Sequence, residues 1–126
     1  MWWFTKRKHQ RQEIWDEDIQ WPIGDLEAAH RIREICRSAA NSPESVGGSG
    51  RRDHANEPER YERATRAAME IAVKISDDLL RDASVRQIVD LCVTADNLKT
   101  ARILFRAIQT VSIREEVLSD HPVLRR

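Results

Sequence analysis

Glu27 and His30 stand three residues apart, a spacing that sets a carboxylate and an imidazole on one face of a helix. Two-iron carboxylate sites use that pair twice and add two further Glu to complete the ligand set. This chain has one such pair, so Glu27 reads as the partner of Arg31 four residues on, and no metal ligand set is expected. The four histidines, His9, His30, His54 and His121, fall in four different segments, with no Ser or Cys in a nucleophile context beside them. Asp77 with Asp78, and Glu115 with Glu116, are adjacent, so on a helix they diverge by about 100°. General acid and base groups must instead converge on one reacting atom. The GGSGRR run at 47–52 lacks the Gly-Lys-Ser/Thr ending and the preceding strand of a phosphate-cradling loop. Cys36 and Cys92 each sit on an apolar helical face, as buried thiols packed like small hydrophobes do. The expectation is a protein without catalytic residues, metal or cofactor.

Binding chemistry is more concentrated. All four tryptophans, Trp2, Trp3, Trp15 and Trp21, lie in residues 1–22, where Lys6, Arg7, Lys8 and Arg11 are followed by Glu13, Asp16, Glu17 and Asp18. One reading makes Trp2, Trp3, Phe4 and Trp15 a partner-binding surface with Lys6, Arg7 and Lys8 at its rim, since aromatic anchors carry most interface energy. The competing reading folds the tryptophans back over the end of the helical core, because an exposed patch of this kind promotes aggregation. Contact with a membrane interface is the minor reading of the same residues. The chain as a whole offers no field to gather a polyanion: 21 basic residues cancel 21 acidic ones. Arg31, Arg33, Arg37, Arg51, Arg52, Arg60, Arg63 and Arg66 could form a stripe suited to nucleic acid, though neighbouring Glu balance most of it, and the helix pair around Ala95–Leu98 shows only Lys99, Arg102 and Arg106 outward. The expected function is therefore a small helical interaction or scaffold module that binds a protein partner, or itself, through the Trp-rich arm and helix faces. A nucleic-acid-associated regulator using the Arg-rich helix faces is the alternative.

These residues need elements to position them, and the pattern is helical throughout. At 126 residues the chain makes one domain. Four Gly, four Pro and the lack of β-branched alternation predict an all-α fold, a small antiparallel bundle of about four to five helices with an irregular Trp-rich N-terminal arm. The expected divisions are the arm at 1–22, a first helix at 23–40, a flexible linker at 41–56, a helical core at 57–119 and a C-terminal tail at 120–126, frayed from Val123 on.

The longest uninterrupted helical period, 57–80, should organise the rest. Tyr61, Ala64, Ala68, Ile71 and Ile75 mark its inner stripe, with Leu79 extending it. Its outer face carries Glu59–Arg63, Glu62–Arg66 and Glu70–Lys74 pairs, and Asn56 with Glu59 reads as its cap. Asp77 and Asp78 would oppose the dipole at its end, so a bend or stop is expected there. The first helix should turn Leu26, Ala29, Ile32, Ile35, Cys36 and Ala39 inward. Further boxes at Ser84–Gln87 and Ser112–Glu115 predict helix starts, and Asp96-Asn97 predicts a turn before a stripe of Leu98, Ala101, Leu104, Phe105 and Ile108.

Residues 88–108, an apolar helix, a tight turn and then Ala101 and Phe105 four apart, resemble one tetratricopeptide-type helical hairpin. The turn glycine is missing and such arrays need about three units, so the resemblance implies generic hairpin packing and no family. No apolar run approaches the roughly 20 residues that span a bilayer. The short WWF precedes its basic cluster, unlike a secretory signal, and the expected location is cytoplasmic.

Overall fold

The structure is a computed structural model that describes residues 14–16, 19–41 and 50–125, with the side chains of 50–57 outside that description. A 3-10 turn at Ile14–Asp16 leads to five helices: α1 (Asp25–Ala40), α2 (Gly50–Ala72), α3 (Asp78–Thr94), α4 (Leu98–Ala107) and α5 (Val111–Asp120), closed by a second 3-10 turn at Pro122–Arg125. Among the described residues there is no strand, so the all-helical expectation holds.

The organising element is α3, not the 57–80 stretch. It packs on α1, α2, α4 and α5. Its sequence explains why: Val85, Ile88, Val89, Leu91 and Cys92 are all buried, which covers a wide arc of the helix rather than one stripe. Complete burial of an Ile or Val side chain contributes about 1.5–3 kcal/mol, and Ile88 and Val89 are both fully buried here. Cross-contacts give the directions. The Asp25 carboxylate meets residues 76 and 77 while Arg60 meets residues 38 and 39, so α1 and α2 run antiparallel. Asp82 meets Thr110, Arg86 meets Glu116 and Asp120, and Asp90 meets His121, so α5 runs alongside α3 in the same direction.

On α2, Ala64, Ala68 and Ala72 recur every four residues and are fully buried, a row of small side chains that lets neighbouring helices approach closely. Its limits differ from the sequence pattern. The backbone is helical from Gly50, so 50–56 belong to the helix rather than to a linker, Asn56 is not its cap, and Pro58 lies inside it. At the other end the last turn tightens, with Lys74 N–H donating to the Ile71 carbonyl and Ile75 N–H to that of Ala72. The next two amides, Ser76 N–H and Asp77 N–H, are taken by the Asp25 carboxylate at 3.1 and 2.9 Å. The helix thus stops before Asp77, as expected. Asp77 then serves the opposite role, capping α3 by accepting from Leu80 N–H at 2.8 Å. Leu79, counted in the inner stripe of a longer helix, falls in this new first turn and is exposed, as is Leu26 beside Asp25.

Ser84 is buried within α3 and Ser112 lies inside α5, so neither begins a helix; the first turns belong to Asp77 and Thr110. The Asp96-Asn97 turn forms as read. Asp96 takes the left-handed conformation (φ 62°), Asn97 N–H reaches back to the Cys92 carbonyl and Asp96 N–H to that of Val93. This is the glycine-type C-terminal closure of a helix with Asp in the glycine position. Asn97 then caps α4 through Thr100 N–H. The tail is not frayed through 125: Leu124 is buried, Arg102 donates to the Val123 carbonyl, and His121 Nε2 lies 2.7 Å from Asp90 Oδ1.

Candidate functional site

A cleft of about 480 Å³ opens between the N-terminal segment and the α1–α2 pair. Helical spacing builds two of its walls. His30, Arg31, Glu34 and Ile35 share one face of α1, and Ala67, Glu70, Ile71 and Lys74 share one face of α2. Ile14, Trp15, Ile19 and Trp21 form the third wall. Its lining is divided by chemistry: Trp15, Ile35, Ala67 and Ile71 are apolar, while His30, Arg31, Glu34, Glu70 and Lys74 bring both signs of charge. The volume falls within the range of about 300–1,000 Å³ usual for ligand sites.

The third wall is fixed by two cation–π contacts. Arg60 lies over the Trp15 ring, 5.1 Å from its centroid, and its guanidinium donates to the carbonyls of Ser38 and Ala39, both at 3.1 Å. One side chain of α2 therefore holds the arm and closes the C-terminus of α1 together. Lys74 lies 5.1 Å from the centroid of the half-exposed Trp21 ring. Trp15 is only 7 % exposed and belongs to the core cluster, so its ring packs against the helices instead of standing free. Burying so large a ring against α1 and α2 is favoured over leaving it in water. Its indole N–H is buried without a hydrogen-bond acceptor among the described residues. Trp2, Trp3, Phe4, Lys6, Arg7 and Lys8, the remainder of the expected surface, lie outside the described residues.

The other candidates separate. Glu27 pairs with Arg31 at 3.5 Å, as read, and His30 joins the cleft lining. Among the described residues no group of three or more His, Cys, Asp or Glu is arranged to hold a metal ion. Asp77 caps α3 whereas Asp78 pairs with Arg81 at 3.0 Å, so these adjacent acids face different partners, and Glu116 pairs with Arg86. Glu62 pairs with Arg66 at 3.4 Å, whereas Lys74 sits at the Trp21 ring. Burial pushes the Cys36 thiol up to about 12, with nearby Cys92 and Asp90 adding to the shift. Cys92 is also raised by burial, partly offset by the Thr65 hydroxyl 3.7 Å from its Sγ. Thiols held protonated in this way are poor nucleophiles.

Two polar features had weak or no signals in the sequence. Asp82 is fully buried, and its Oδ2 accepts from Thr110 N–H at 2.8 Å, Gln109 N–H at 3.1 Å and the Thr110 hydroxyl at 2.6 Å. Burial alone would raise its pKa; the Thr110 and Gln109 donors outweigh that and hold the carboxyl below its ordinary value, helped by Arg81 3.7 Å from Oδ1. The signal was an acid in register with Val85 and Val89 on an inner face. The Asp90–His121 contact joins residues 31 apart, and no local pattern announces it.

A scan against protein-family models and searches of curated proteins and of solved structures found no match for this chain. Among the described residues no helix is long and apolar enough to cross a membrane.

Proposed function

We propose that this is a small helical interaction module without catalytic activity, which holds a segment of a protein partner in the cleft between the arm and helices α1 and α2. The observation that carries this reading is the lining: apolar groups on three walls with charges of both signs from two helices. An apolar anchor side chain suits Ile35, Ala67 and Ile71, and polar groups flanking that anchor meet Glu34, Glu70, Arg31 or Lys74. The Trp-rich arm serves as a wall of the site through Trp15 and Trp21 rather than as a free anchor.

Filling the cleft tests this. Ala67→Trp projects a large ring from a half-buried position that lines the cleft. Affinity capture with the wild-type chain, with Ala67→Trp and with the surface control Glu62→Ala is compared by quantitative mass spectrometry. A captured protein retained by Glu62→Ala and lost with Ala67→Trp is the expected result, provided circular dichroism shows both variants helical. Equal capture by all three overturns the reading.

A further inference from the structure

The chain as a whole is neutral, yet residues 98–114 hold Lys99, Arg102, Arg106 and Arg114 and no acid. Helix α4 supplies the first three of these cations. Its Ala101, Leu104, Phe105 and Ile108 side are buried, and the opposite arc carries Lys99, Arg102, Ile103 and Arg106. Spacings of three and four bring these last residues onto one face about 10 Å long. Arg114 leaves the group: its guanidinium lies 4.6 Å from the Phe105 ring centroid and donates to the Ile108 carbonyl. The 3-10 turn Pro122–Arg125 packs on α4 instead. Arg102 donates to the Val123 carbonyl at 3.3 Å, which holds Val123, and with it the exposed Arg125, at the edge of the face.

Neighbouring acids are engaged elsewhere. Glu116 and Asp120 pair with Arg86, and Asp90 with His121. Among the described residues Lys99, Arg102, Arg106 and Arg125 form no ion pair with a carboxylate. Asp96 in the turn before α4 and Glu115 on α5 are the acids that flank the stretch in sequence. Among the cations, Ile103 and Val123 stay 54 % and 42 % exposed.

We propose that the outer face of α4 is a peripheral docking surface for an anionic lipid bilayer, with Lys99, Arg102, Arg106 and Arg125 over the headgroups and Ile103 and Val123 entering the interface. Charge complementarity selects an anionic partner, and the exposed apolar pair selects lipid. A phosphate backbone satisfies the cations but gives Ile103 and Val123 nothing to enter. A bilayer takes both apolar side chains and the alkyl stems of Lys and Arg while the charged ends stay in water. Each Lys or Arg near an anionic membrane strengthens partitioning about fivefold, so a neutral chain binds through this patch, reversibly and more weakly as salt screens it. Helix α4 packs on α3 and the final turn, and none of its residues lines the α1–α2 cleft. The membrane face and the cleft are therefore separate surfaces of one molecule.

The full chain is sedimented with vesicles of equal parts phosphatidylserine and phosphatidylcholine and, separately, of phosphatidylcholine alone. The expected result is binding to the anionic vesicles only, released as sodium chloride rises and weakened about tenfold or more by Lys99→Gln with Arg106→Gln. Ile103→Ser should weaken it about threefold or more. Arg63→Gln with Arg66→Gln removes as much charge from α2 and should bind as the wild type does. All five positions are exposed, so circular dichroism should show every variant as helical as the wild type. No binding by the wild type, equal binding by Lys99→Gln with Arg106→Gln, or an equal loss from the α2 pair overturns the inference. Binding to a DNA duplex or to polyglutamate as tight as to the vesicles, or binding that ignores Ile103→Ser, overturns it by leaving a general polyanion surface. A dimer in light scattering that Lys99→Gln with Arg106→Gln dissociates overturns it by assigning the face to a second copy.

Discussion

The two sides of α3 are held together by different means. Toward α4 and α5, one buried carboxylate ties the chain down: Asp82 receives three hydrogen bonds from the junction at Gln109 and Thr110. Arg86 and Asp90 add contacts to Glu116, Asp120 and His121. Toward α1 and α2, closeness comes from small side chains, Ala28, Ala64, Ala68 and Ala72, and the outer surface of that pair is left open as a cleft. The contrast separates two tasks. A polar clamp with specific geometry fixes one arrangement and tolerates little change, whereas a row of alanines gives close packing while leaving larger neighbours free to shape a concave surface.

The sharpest way to break this contrast is at the clamp. Asp82→Ala leaves two buried backbone donors and a hydroxyl without their acceptor and should cost about 3 kcal/mol in urea unfolding, with Asp82→Asn costing roughly half as much because one acceptor oxygen remains. The clamp also has a pH signature. Its carboxyl ionises below the ordinary value in the fold, so its stabilisation is complete above the unfolded-chain value of about 3.9 and is lost as pH falls through the lower folded value. Wild-type Tm should therefore drop more steeply than that of Asp82→Asn below about pH 4.

On the other side, neighbouring alanines should behave differently. Ala68→Leu overfills a fully buried position and should cost about 1–3 kcal/mol, while Ala67→Leu, which grows into the cleft, should stay within about 0.5 kcal/mol of wild type. Similar costs for the two would remove the distinction between packed row and open wall. Thermal or urea unfolding measures both.

Much of the architecture was legible because apolar stripes repeat at the helical period; Ile32, Ala64, Ala68, Ala101 and Ile108 are all fully buried where the pattern put them. The boundaries were less legible where a distant residue sets them. Asp77 and Asp78 announce that the helix stops, but not at which residue, since the group that takes the following amides is Asp25, about 50 residues earlier. Asp77 looked like an unfavourable C-terminal charge until the helix ended before it, which turned it into a cap. The cleft was hidden for a related reason. Its lining comes from three segments, each of which reads locally as an ordinary amphipathic surface, and Trp15 reads equally well as anchor or as core.

Two smaller effects complete the comparison. Asp96→Gly should stabilise the α3–α4 turn by about 0.5–1 kcal/mol, because glycine takes the left-handed conformation without a Cβ penalty. Glu62→Ala, which removes an exposed pair with Arg66, should change stability by no more than about 0.5 kcal/mol. A larger loss there would mean that the exposed face of α2 contributes to stability as well.

Helix α1 is gripped at both ends by side chains rather than by its neighbours in sequence: its own Asp25 seizes amides 76 and 77, and Arg60 holds the carbonyls of Ser38 and Ala39. The α1 helix should therefore stay seated without covalent continuity with α2. A single engineered protease cut between Asn41 and Gly50 should yield two polypeptides that co-elute on gel filtration, and a split reporter divided at that point should reassemble from its separately expressed halves.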